Sequence, residues 1–87
     1  MADLSGTITS GGVAQAFARP NGRQGFWVQN QSDSDLWFRL EGTASAASPS
    51  IRLAAGELYE SPEHMPCGGV ISIFGASTGQ KFAGGDW

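Results

Sequence analysis

Of the devices that commonly staple a small domain, this sequence has almost none. Its 87 residues include a single cysteine, Cys67, so no intrachain disulfide can form, which argues against a disulfide-scaffolded secreted module. One histidine, His64, lies three residues before it in the Pro-broken loop SPEHMPCGG. A nucleophile–base pair there lacks an orienting third group, and the H-x-x-C spacing supplies only half a zinc site. Charge is also scarce: 15% of residues are charged, the net charge is −3, and Arg19, Arg23, Arg39, Arg52 and Lys81 are scattered. Without a basic stripe, nucleic acid is not an expected partner. No apolar run approaches the ~20 residues that span a bilayer. The opening MADLSGTITSGG lacks the basic start and apolar stretch of a signal peptide. The expected setting is cytosolic, or reached by a route other than secretion, with no membrane partner.

Other chemical motifs are equally incomplete. Asn30, Asp33 and Asp35 in NQSDSD offer oxygens, but the glycine and terminal glutamate of a calcium loop are missing, and an Asx-type hairpin turn is the simpler expectation. Glu57, Glu60 and Glu63 are too dispersed for a glycosidase pair. The glycines of GGVISIFGASTG have no Lys-Ser/Thr after them and no helix to open, so they read as turn glycines rather than a phosphate loop. A non-enzymatic protein with no metal or cofactor is expected. A chain this short buries only roughly 60–65% of its unfolded surface. Self-association or docking onto a larger assembly is therefore the expected source of further burial.

What is present is alternation. QGFWVQNQSDSDLWFRL, from Gln24 to Leu40, places two aromatic, period-2 runs around a polar loop and predicts a β-hairpin. Phe26, Val28, Leu36, Phe38 and Leu40 form its packing face. If Val28 pairs with Leu36, Trp27 faces Trp37 on the other side. Val13 to Arg19 reads as a strand ending in the turn Pro20-Asn21-Gly22, and Gly42 to Ser50 as a long connection. Ser50 to Ala54 and Glu57 to Glu60 predict a second hairpin about Ala55-Gly56, with Ile51 and Leu53 facing in and Arg52 out. Ser61 to Gly69 is a loop. Val70 to Phe74 suits a central strand covered on both faces, and Gln80 to Ala83 follows the turn GASTG. The expected fold is all-β, a small antiparallel sandwich or barrel of about seven short strands. Residues 1–12 form a flexible N-terminal arm, 13–83 the domain and 84–87 a C-terminal tail.

The aromatics carry the functional expectation. Trp27 and Trp37 allow three readings: ordinary core of the same sandwich, a subunit or lattice interface, or carbohydrate stacking. Arg39, on the face of Trp37, can add a cation–π or ionic contact. Trp87 follows Gly84-Gly85 and Asp86 and reads as a flexible latch. The interface hypothesis therefore names Trp27, Trp37, Arg39 and Trp87.

Three segments carry a family likeness: an N-x-S-x-x-x-L-W run from Asn30 to Trp37, P-S-I-x-L-x-x-G from Pro49 to Gly56, and G-x-I-S-I-x-G-x-x-T-G-Q-x-F from Gly69 to Phe82. With Gly42-Thr43-Ala44 between the first two, this arrangement resembles small virion structural proteins of tailed bacteriophages. The likeness runs from Phe26 to Phe82 and leaves out Met1 to Pro20 and the Glu63 to Cys67 loop. It implies a minor capsid or decoration protein that cements the major capsid protein from the capsid exterior, assembled in the host cytoplasm. A homo-oligomer is implied too, a trimer favoured. The alternative is a tail- or fibre-associated receptor- or carbohydrate-binding module.

Overall fold

The computed structural model describes residues 2–19, 25–40, 42–46, 50–61 and 69–87. Among these there is no helix. The strands are β1 (Ala2–Asp3), β2 (Gly6–Thr7), β3 (Gln15–Ala18), β4 (Phe26–Asn30), β5 (Leu36–Leu40), β6 (Ile51–Leu53), β7 (Leu58–Glu60), β8 (Ile71–Gly75) and β9 (Lys81–Asp86). They build two sheets, in which every pairing is antiparallel. One has the order β1-β9-β4-β7, with β2 also pairing with β9, and the other β3-β8-β5-β6. This is the small β-sandwich that the alternation predicts.

The pairing partners differ from expectation. β4 and β5 do not form a hairpin: Val28 lies between Tyr59 and Gly84 in one sheet, and Leu36 between Leu53 and Gly75 in the other. Residues 31–35 thus carry the chain across the sandwich. Tight two-residue hairpin loops rely on Gly, Asn or Asp at positive φ. The five residues between β4 and β5 instead leave room for the strands to separate. The apolar faces still meet, because a stripe that packs beside its neighbour packs equally well opposite it. Phe26 and Phe38 touch edge-on across the core at 6.1 Å, and Tyr59 closes on both at 5.6 and 5.0 Å. The expected second hairpin, β6 with β7, is likewise divided between the sheets, as are β8 and β9. Ala55-Gly56 still turns the chain: Glu57 N–H bonds Ala54 C=O at 2.9 Å, and Gly56 has φ 79°.

The expected packing face is buried: Phe26, Val28, Leu36 and Phe38 are fully enclosed, joined by Ile71 and Ile73 from β8, while Leu40 is half-buried. Leu53 is buried, but Ile51, at the start of edge strand β6, is 40% exposed. β8 is central, as its apolar run suggests, with β3 and β5 on either side. β3 carries a bulge between Ala16 and Ala18, which places the consecutive residues Phe17 and Ala18 both inside.

Two segments expected outside the domain belong to the first sheet. Residues 1–12 were expected as a flexible arm, yet β1 and β2 line one edge of β9 and Ile8 is buried. Ile8 N–H bonds Gln80 C=O at 2.9 Å, and Gly79 N–H bonds Ile8 C=O at 2.8 Å. Leu4 and Ile8 supply apolar anchors to a segment whose Ser, Thr and Gly content suggested none, and the β9 edge supplies backbone partners. At the other end, Gly84, Gly85 and Asp86 are not a tail but the last half of β9, all buried. Gly84 is needed there: a Cβ would lie 2.3 Å from Phe17 Cζ and 2.8 Å from the Trp27 carbonyl oxygen.

Candidate functional site

The crossing of β4 and β5 between sheets decides where the tryptophans go. Trp27 sits in the first sheet between Gly85 and Glu60, and Trp37 in the second between Arg52 and Phe74. Each faces away from the core on its own side of the sandwich, so the expected Trp27–Trp37 pair does not exist. Both indoles are half-buried. Trp37 contacts Phe74 edge-on at 6.0 Å. Arg39 shares its face, opposite Ser72, and its side chain occupies the space beside Gly42, where a Cβ would lie 2.5 Å from Arg39 Nε. Segment 42–44 folds over this face: Ala44 is buried and its N–H bonds Ser72 Oγ at 3.0 Å. Arg52 pairs with Asp35 at 3.7 Å, both well exposed.

Trp87 joins Trp27 instead. Gly25 and Trp87 exchange backbone bonds of 3.2 and 3.0 Å, extending the β4–β9 ladder by one pair. The Trp87 ring lies where a Gly25 Cβ would be, 2.5 Å from Cζ2. Trp87 is therefore held by a ladder and is not a latch on a flexible linker. Register places Trp27, Trp87, Gln29 and Leu58 on one outer face. Leu58 is 54% exposed and Trp87 37%, while Ala83 and Gly85 beneath them are buried. Sequence reasoning missed Leu58 as part of this face. Its only signal was the pair of glycines in β9, whose missing side chains leave an indole room to lie down. Asp3, opposite Gly85, accepts a 2.9 Å bond from Ser5 N–H. That bond first, and then one from the Ser5 hydroxyl, hold its carboxyl below the ordinary 3.8.

A polar cleft of about 440 Å³ opens at one end of the sandwich between turns 31–34 and 77–81. Two buried amides build it. Asn30 is fully enclosed: Nδ2 donates to Ser34 O at 2.6 Å and Leu53 O at 2.9 Å, and Oδ1 accepts from Ser32 N–H at 2.9 Å and Ser32 Oγ at 2.6 Å. This is an Asx turn, as NQSDSD suggests, but it carries the chain between the sheets and does not close the expected hairpin. Gln80, also buried, donates through Nε2 to Asp35 O at 3.0 Å and Ser32 Oγ at 3.2 Å, and its Oε1 accepts from Ser77 N–H at 3.0 Å. The carbonyl partners are unambiguous acceptors, so the amide orientations follow from the network.

Among the described residues, no three His, Cys, Asp or Glu side chains converge on a metal-sized site. Glu63, His64 and Cys67, with the turn Pro20-Asn21-Gly22 and Pro49, lie outside the described residues. No described helix is long and apolar enough to cross a membrane. Protein-family models, curated proteins and solved structures were all compared with the chain, and none matches.

Proposed function

We propose that the chain is a non-enzymatic structural protein of a tailed-bacteriophage virion, a decoration or cement protein bound to the major capsid protein on the capsid exterior. The observation that carries this reading is the outer face of the β1-β9-β4-β7 sheet, where Trp27, Trp87 and Leu58 form an apolar surface on a small domain. Aromatic groups flanked by polar neighbours such as Gln29 and Glu60 are the usual composition of an interface centre. The sequence likeness around Asn30, Pro49 and Gly69 supports the same assignment. Cementing works by burying apolar area between capsomers, adding contacts that must break before shell subunits separate. A homo-oligomer, a trimer favoured, would present several such faces at once and gain from avidity.

This role runs through sheet faces, because the N-terminal residues are committed to β9 through β1, β2 and the Leu4 and Ile8 backbone bonds. In the tail- or fibre-associated alternative, Trp27 and Trp37 cannot line one glycan groove together, because they lie in different sheets. Quantitative mass spectrometry of purified particles from the encoding phage tests the proposal. A high copy number in fixed ratio to the major capsid protein is expected, and a few copies per particle overturns it.

A further inference from the structure

Independently of the virion reading, we propose that the polar cleft between turns 31–34 and 77–81 is a binding site for a neutral saccharide. Its walls are built before any ligand arrives. Asn30 and Gln80 tie the 31–35 turn to β6 and to the 76–80 turn. The second wall is braced again from behind, where Gly11 N–H bonds Thr78 Oγ1 at 2.9 Å and Gly79 N–H bonds Ile8 C=O. A site whose loops are already fixed has little ordering entropy to lose on binding.

The lining selects the ligand class. Gln31, Ser34, Ser77 and Thr78 supply amide and hydroxyl groups, and Asp33 and Lys81 one carboxylate and one ammonium. Those two charges are of opposite sign, so the lining carries no net formal charge. Hydroxyls both donate and accept, the carboxylate accepts and the ammonium donates. That mixture matches a ring of vicinal hydroxyls, each of which must also give and take a bond. Among the described residues, the side chains of Asp33, Ser77 and Lys81 have no partner within the protein. The Thr78 hydroxyl accepts from Gly11 and keeps its own hydrogen to donate. A volume of about 440 Å³ falls within the range of small-molecule sites and admits one or two sugar rings. Among the described residues, no aromatic side chain lines the cleft. An apolar ligand therefore has no partner, and a saccharide has no ring to stack on, so a Kd of about 1–10 mM is expected.

An amide-resolved NMR titration of the full chain with maltose, lactose and N,N′-diacetylchitobiose, and separately with inorganic phosphate, tests the site. At least one sugar is expected to give saturable shifts confined to residues 31–35 and 76–81. Asp33→Ala and Ser77→Ala, both outside the Asn30–Gln80 side-chain network, should together weaken that binding by about tenfold or more. Ser77→Tyr, which fills the cleft, should abolish it with the rest of the spectrum intact. Any of these results overturns the proposal: no saturable shift with any of the sugars at roughly 100 mM, shifts centred on Trp27 and Trp87, or phosphate binding as well as the sugars. Binding left unchanged in all three variants also does so.

Discussion

Replacing Asn30 by aspartate keeps the shape of the side chain and removes both of its N–H donors. The acceptor side survives, since Ser32 N–H and Oγ can still bond one carboxyl oxygen. The other oxygen is then pressed against Ser34 O and Leu53 O, at the positions where Nδ2 sits 2.6 and 2.9 Å away. At a fully buried site, desolvation and the facing carbonyls both favour the neutral acid, so the folded-state pKa rises above the unfolded ~3.9. The native state then binds a proton more tightly than the unfolded chain. Stability accordingly falls as pH rises from about 4 toward the raised folded pKa, by ~1.4 kcal/mol per unit. Even the protonated form donates only one bond where the amide donates two, a loss of about 1–2 kcal/mol. If the pKa rises by roughly two units, the total near neutral pH is about 4 kcal/mol, a large part of the ~4–13 kcal/mol expected for a domain of this size. Urea unfolding followed by tryptophan fluorescence, run for Asn30→Asp and the parent from pH 4 to 7.5, reads the difference directly. A loss that is the same at every pH would refute the reasoning, as would near-parental stability at pH 7.

Gly84→Ala should destabilise by about 1–3 kcal/mol through overpacking against Phe17. Combining it with Phe17→Leu should recover part of that loss; thermal melts in which the two effects add within ~0.5 kcal/mol would contradict the contact. Leu58→Asp should leave monomer stability within about 0.5 kcal/mol, since Leu58 is more than half exposed, yet weaken self-association or shell binding at least tenfold or so. Sedimentation and particle-binding assays showing no change would remove this face from the interface. Asp3 should titrate below the ordinary 3.8 in a carboxyl-carbon NMR experiment, and Ser5→Ala should move its midpoint part of the way back because the backbone N–H remains. Its contribution to stability is present above the unfolded pKa and is lost as pH falls through the folded one.

Much of the strand content was legible. The runs FWVQN, LWFRL and ISIFG each announce a strand, and their inward residues Phe26, Val28, Leu36, Phe38, Ile71 and Ile73 are the core. The candidate surfaces were legible only in part. Trp27, Trp37 and Trp87 stood out as aromatics without a core position, but which of them share a face did not. Leu58 was hidden because β7 is three residues long, too short for alternation to declare its outward side. The network joining Asn30 and Gln80 was hidden as well, because nothing local shows that the 31–35 and 76–80 segments meet.

By itself, then, the sequence determined an all-β chain and the inward residues of its three clearest strands, Phe26, Val28, Leu36, Phe38, Ile71 and Ile73. Those follow from side-chain chemistry and a period of two, which are local. Only the tertiary structure decided that Trp27 and Trp37 lie on opposite outer faces, that residues 2–3, 6–7 and 84–86 are sheet, and that two turns enclose a polar cleft. The physical reason is that ladder bonds are made by backbone groups that are the same at almost every residue. An apolar face buries equally well beside a partner strand or across from one, so local pattern leaves the choice open. It is settled by the long-range fit of the nine described strands: Phe17 over Gly84, Phe26 against Phe38, and Asn30 reaching Leu53.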